Sequence, residues 1–169
     1  MAELFVMRHA KSDWETGVDD FDRPLSKRGH KNAPKMARWL EDTDREPDAI
    51  LTSAANRART TAGYVATHFA LNAEDVIETP DLYLADVETW MDALVEQSAD
   101  RLLICGHNPG LDYLVDYLSE EAATTTPDGK LMTTAAIAIF TVPQWRKLSP
   151  ATCHFQELMR PRELPNQTF

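Results

Sequence analysis

Three short stretches carry residues that can handle a phosphoryl group. Arg8-His9 ends the apolar run Leu4-Phe5-Val6-Met7; Arg57 stands in Ser53-Ala54-Ala55-Asn56-Arg57-Ala58-Arg59-Thr60; His107 stands in Gly106-His107-Asn108-Pro109-Gly110. Imidazole is close to neutral at physiological pH and can present a ring lone pair. Arginine is a permanent cation whose planar fork fits phosphate oxygens. A nucleophile beside such a clamp is equipped for phosphoryl transfer. An isolated Arg-His pair is equally well read as two solvated residues at a strand end, so the surrounding elements must decide.

Those elements alternate. Leu4 to Met7 reads as a strand covered on both faces. The polar loop Asp13 to Arg23 follows, with Trp14 and Phe21 able either to rim a groove or to pack the loop. Ser26 is a candidate N-cap for a helix whose Ala33, Met36, Ala37 and Leu40 make one stripe; Pro34 predicts a kink or a start nearby. Asp48 to Thr52 is a second strand, and Arg57 falls in the first turn of the next helix. Val76 to Thr79 is a weak strand, and Asp86 can cap a helix over Val87, Trp90, Met91, Leu94 and Val95. Arg101 to Cys105 is the strongest strand signal, and Asn108 with Pro109 opens the helix after it. Ala135 to Val142 and Thr152 to Met159 read as a final antiparallel pair. The expectation is a three-layer α/β/α sandwich on a mainly parallel sheet with an antiparallel strand. Carboxyl ends of parallel strands share one edge, so Arg8, His9, Arg57 and His107 should converge there on an anion. The helix after Asn108 would add free N–H groups and the positive end of its dipole.

The totals set bounds. The 169 residues suit one domain over 1–160, with a loose tail at 161–169. A net charge of −10, from 27 acidic against 17 basic residues, argues against nucleic acid or an anionic membrane as partner. It also makes a local cluster of arginine and histidine more telling. No apolar run approaches a membrane span, and Met1-Ala2-Glu3 has no signal-type character, so a cytoplasmic protein is expected. Cys105 and Cys153 read as buried free thiols, and zinc-type spacings are absent, so neither metal nor cofactor is expected.

The three motifs together resemble the histidine phosphatase superfamily, also called phosphoglycerate mutase-like, and within it the small SixA-type phosphohistidine phosphatases. The resemblance runs from Leu4 to about Met159. It implies that His9 attacks phosphorus and becomes phosphohistidine, which water then hydrolyses. Arg8, Arg57 and His107 would hold the phosphoryl oxygens, His107 best when protonated. One departure stands out. Many members place a glutamate acid shortly after the third strand, where this chain reads Asp81-Leu82-Tyr83-Leu84-Ala85-Asp86. Asp86 can supply a proton or simply cap its helix. An imidazole leaving group needs little protein acid, which links the missing glutamate to an N–P substrate.

Ser12, Lys11 and Asn108 are further candidates for contact with substrate, each with an ordinary alternative as turn cap, solvated cation or helix cap. Ser53 likewise suits phosphate contact or turn capping. The acidic run Asp19 to Asp22 reads as a solvated loop, His30 and His68 as surface helix residues, and His154 as a strand residue, none with a ligand role. Expected partners are a phosphorylated protein or, alternatively, a small phosphate ester; a non-catalytic phospho-residue binding module is the reading from another class. Oligomeric state is not set by the sequence.

Overall fold

Leu4, Phe5, Val6 and Met7 have no exposed surface, and they alternate between two cores. Leu4 and Val6 join Trp90, Leu94, Leu111 and Leu114 on one side; Phe5 and Met7 join Met36, Ala37, Ala58 and Val65 on the other. That two-residue period is what a strand with helices on both faces requires. A computed structural model describes residues 1–165. It shows β1 (Ala2–Arg8), α1 (Lys27–Asp42), β2 (Ala49–Ser53), α2 (Asn56–His68), β3 (Val76–Thr79), α3 (Val87–Leu94), β4 (Arg101–Gly106), α4 (Gly110–Leu118), β5 (Ile137–Val142) and β6 (His154–Met159). The sheet order is β3-β2-β4-β1-β5-β6. The first four of these neighbours run parallel, and β5 is antiparallel to both β1 and β6. The fold is thus the expected three-layer α/β/α arrangement.

This order positions the motifs. β4 lies between β2 and β1, with Arg8 in register with Gly106 and Thr52 with Cys105. The three strand–turn–helix junctions are therefore side by side on one edge. Trp90 fills the space against Gly106, where a Cβ would come within 2.5 Å of its ring. Gly110 lets α4 start against the Ala85 carbonyl, where a Cβ would be 2.0 Å away.

Several boundaries differ from expectation for physical reasons. α1 neither begins at Pro34 nor stops there; it runs unbroken from Lys27 to Asp42, with Ser26 Oγ accepting from the Gly29 amide at 3.2 Å. Ala33, Met36, Ala37 and Leu40 are all fully buried, and this stripe holds the helix across the proline. α4 starts at Gly110 because the Asn108 side chain reaches past Pro109 to accept from the Asp112 amide. The segment read as a loose tail begins as packed chain. Pro161–Glu163 form a 3-10 turn, Arg160 pairs with Glu163 at 2.8 Å, and Leu164 packs on the core. Residues 166–169 lie outside the described part.

Candidate active site

A pocket of about 380 Å³ opens at the shared strand edge, lined by Arg8, His9, Arg57 and His107 among others. The His9 and His107 rings lie 5.2 Å apart. His9 Nδ1 is 2.7 Å from the Ala10 carbonyl oxygen. A carbonyl can only accept, so Nδ1 carries the proton and Nε2 keeps its lone pair. The turn below His9 is tied to α2: the Ala10 amide donates to Thr61 Oγ1, which donates to the Arg57 carbonyl. Arg8 Nη1 donates to the Met132 carbonyl at 3.0 Å. His107 Nε2 is 2.8 Å from Ser53 Oγ, which also accepts from the Ala55 amide. Among the described residues, the buried polar side-chain atoms without a protein partner are Arg8 Nε, Arg57 Nε, His107 Nδ1 and Trp90 Nε1. Three of these four belong to pocket-lining residues. Buried donors left unmatched are costly, so their concentration here marks a place kept for an anion.

Electrostatics agree. His9 is pushed down to about 3, chiefly by burial, with His107, Arg8 and Arg57 adding repulsion. His107 is pushed down to about 4, again chiefly by burial and then by Arg57. Both rings are neutral in the free pocket at physiological pH, which leaves the His9 Nε2 lone pair available. Arg57 is 2 % exposed, and its fork donates to the Asp20 carbonyl at 2.5 Å and to Asp20 Oδ2 at 2.9 Å. Arg23 donates to Asp20 Oδ1 and to Ser12 Oγ, and Tyr83 Oη donates to Asp20 Oδ2. The Tyr83 hydroxyl and the two guanidiniums hold the Asp20 carboxyl well below the usual carboxylate range.

Residues 4–90 match the family model of the histidine phosphatase superfamily, branch 1. The chain belongs to the histidine phosphatase superfamily. Phosphohistidine phosphatase SixA of Escherichia coli is 30% identical over 145 residues, 84% of this chain and 86% of that protein. An uncharacterized Mycobacterium tuberculosis protein is 32% identical over 151 residues, 85% of this chain and 92% of its own. The structure of a protein histidine phosphatase SixA complexed with tungstate superposes with a TM-score of 0.80, at 26% identity over 96% of this chain and 99% of that one. These likenesses put this histidine phosphatase in the SixA-type branch.

The other residues singled out in the sequence fall into different places. Lys11 and Asn108 line the pocket, but the Asn108 amide is committed to the Met132 carbonyl and to α4. Ser12 lines it too, with its hydroxyl engaged by Arg23. Asp86 is exposed, caps α3 through the Thr89 amide at 2.9 Å, and is not among the pocket-lining residues. Accepting from that amide also lowers its pKa, the wrong direction for an acid. The acidic run is not simply solvated, because Asp20 turns inward to anchor Arg57 and Arg23. Asp20, Arg23, Tyr83 and Thr61 were missed. The one sequence signal was an acid and a base three apart within a long loop. Ser53 does serve its turn, but it also holds His107. His30 and His154 are exposed, and Trp90, Cys105 and Cys153 are buried as expected. Among the described residues, no cluster of His, Cys, Asp or Glu could hold a metal ion, and no helix is long and apolar enough to cross a membrane.

Proposed function

We propose that this phosphatase removes the phosphoryl group from phosphohistidine on a protein, through a covalent intermediate on His9. The observation that carries the reading is the pocket's shortage of acids. Among the described residues, Asp20 is the one carboxylate lining the pocket, and its three donors keep it ionised. A leaving group with its own proton suits such a site. The His9 Nε2 lone pair attacks phosphorus, and the N–P bond of the substrate breaks with its electron pair going to an imidazole that is already protonated. Water then attacks the phosphoryl group on His9, releasing inorganic phosphate and restoring the lone pair. Arg8 and Arg57 hold the non-bridging oxygens. With Ser53 donating to His107 Nε2, Nδ1–H becomes a neutral donor for a third oxygen, so His107 does not need to be protonated. Preorganised donors of this kind are each worth about 10²–10³ in rate.

Turnover of a phosphohistidine peptide should exceed that of the matching phosphoserine peptide by orders of magnitude. An aryl phosphate, whose leaving group also needs no acid, should be hydrolysed at an intermediate rate. Equal turnover of phosphoserine and phosphohistidine would defeat the reading. An acid-labile, alkali-stable phosphoenzyme should be trapped with the wild type and be absent in His9→Ala.

A further inference from the structure

A second, larger cavity of about 800 Å³ adjoins the active-site pocket and shares Arg8, Lys11 and Thr134 with it. Its walls come from α1, the loop after α4 and the turn at Pro161–Glu163. It is cationic on a chain of net charge −10. Arg160 and Lys130 are neutralised locally, by Glu163 at 2.8 Å and Asp128 at 3.4 Å. Lys11, Arg28 and Arg162 line the cavity with no carboxylate within 4.0 Å among the described residues. Behind Arg28, α1 carries Lys27, Lys31 and Lys35, all exposed and likewise unpaired. Side chains of one sign are thus concentrated on the wall beside the phosphate site, while the rest of the chain carries a net negative charge.

We propose that this groove docks an acidic segment of the phosphorylated protein, beside the residue being dephosphorylated. The inference deepens the phosphohistidine-protein reading and rests on it for the identity of the bound protein. Cations that continue from Arg8 through Lys11 to Arg28 make a track leading away from the phosphate. Thr133 and Asn32 supply side-chain hydrogen-bonding groups suited to a peptide backbone. Among the described residues, the lining contains no aromatic side chain on which a base could stack, which disfavours single-stranded nucleic acid. Asp128 and Glu163 interrupt the cationic track, which disfavours a continuous phosphate backbone. Carboxylates spaced along a peptide can fall between these two acids.

The test uses the full chain and two phosphohistidine peptides of equal length, one flanked by glutamates and one by glutamines, with a small phosphoramidate as reference. Wild type should favour the glutamate peptide in kcat/KM by about tenfold at low salt, with the preference fading as salt is added. Double charge reversal, Arg28→Glu with Arg162→Glu, should abolish the preference and leave phosphoramidate turnover intact. Both side chains are exposed, and an unchanged Tm would show that the variant folds. Arg28→Lys should keep the preference. Absence of a preference in wild type, or its survival in the double reversal, overturns the proposal. Calorimetry with the unphosphorylated glutamate peptide separates the two readings. Binding to wild type but not to the reversal variant supports the groove even if no N–P bond is cleaved, in which case the substrate reading alone falls. A single-stranded oligonucleotide that binds more tightly than the glutamate peptide overturns the acidic-protein assignment.

Discussion

At the scale of single residues, Ser53 is the small group with the largest expected leverage. Its hydroxyl meets His107 Nε2 while the opposite ring nitrogen is left without a protein partner. Ser53→Ala should lower kcat more than it raises KM, by about fivefold, as expected for a lost hydrogen bond worth ~1 kcal/mol. A purely structural role would lower Tm without that split. Asp20 has the opposite character, because removing it strands two cations. Arg57 and Arg23 are 2 % and 6 % exposed, so Asp20→Ala should lower Tm. Inorganic phosphate should then restore more stability to the variant than it adds to wild type, because the dianion replaces the missing charge; equal stabilisation of both would contradict this role. The histidines set the acid behaviour. Their folded pKa values, about 3 and about 4, lie below the ordinary histidine value of 6.5. The unfolded chain therefore takes up protons first as pH falls, and these rings cost nothing above 6.5 but destabilise progressively toward 4. Denaturant midpoints measured from pH 7 to pH 4 should fall in wild type and fall less in His9→Ala. Activity limited by His9 should persist down to about pH 4 and then drop as its lone pair is lost.

At the scale of elements, site geometry follows from strand order. Because β4 sits between β2 and β1, Ser53, His107 and His9 meet across neighbouring strands although they lie far apart in sequence. The turn after β4 is held by close approach of backbone. Gly110→Ala would drive a methyl group into the Ala85 carbonyl, and the Ala85 backbone cannot yield as a side-chain end could. α4 must shift, taking the His107 turn with it. Both Tm and kcat should fall, whereas Gly63→Ala, with open space around its Cβ, should leave them nearly unchanged. The alternation of apolar strands and amphipathic helices made this layer plan legible, as did the charged residues at three strand ends. What stayed hidden has a physical cause. Asp20, Arg23 and Tyr83 reach the pocket from segments with no periodic pattern, so nothing local signals that their side chains turn inward. Pro34 misled because local propensity is weaker than a fully buried helical stripe.

At the scale of the whole molecule, charge is distributed against its average. Five of the chain's 17 lysines and arginines lie on α1 alone, next to the site, in a molecule of net charge −10. Association with an acidic substrate should therefore depend on approach direction, and kcat/KM for such a substrate should fall steeply with ionic strength while kcat stays level. The tryptophans are unevenly placed too. Trp39, Trp90 and Trp145 are 7 % exposed or less, whereas Trp14 is 70 % exposed at the rim of the pocket with the Arg23 guanidinium 3.5 Å from its ring. Any anion that draws Arg23 away from that indole alters one fluorophore and leaves the other three in their dry surroundings. A titration followed by light, with Trp14→Phe as the dark control, should therefore report binding at the pocket as a change in intrinsic emission, without a label.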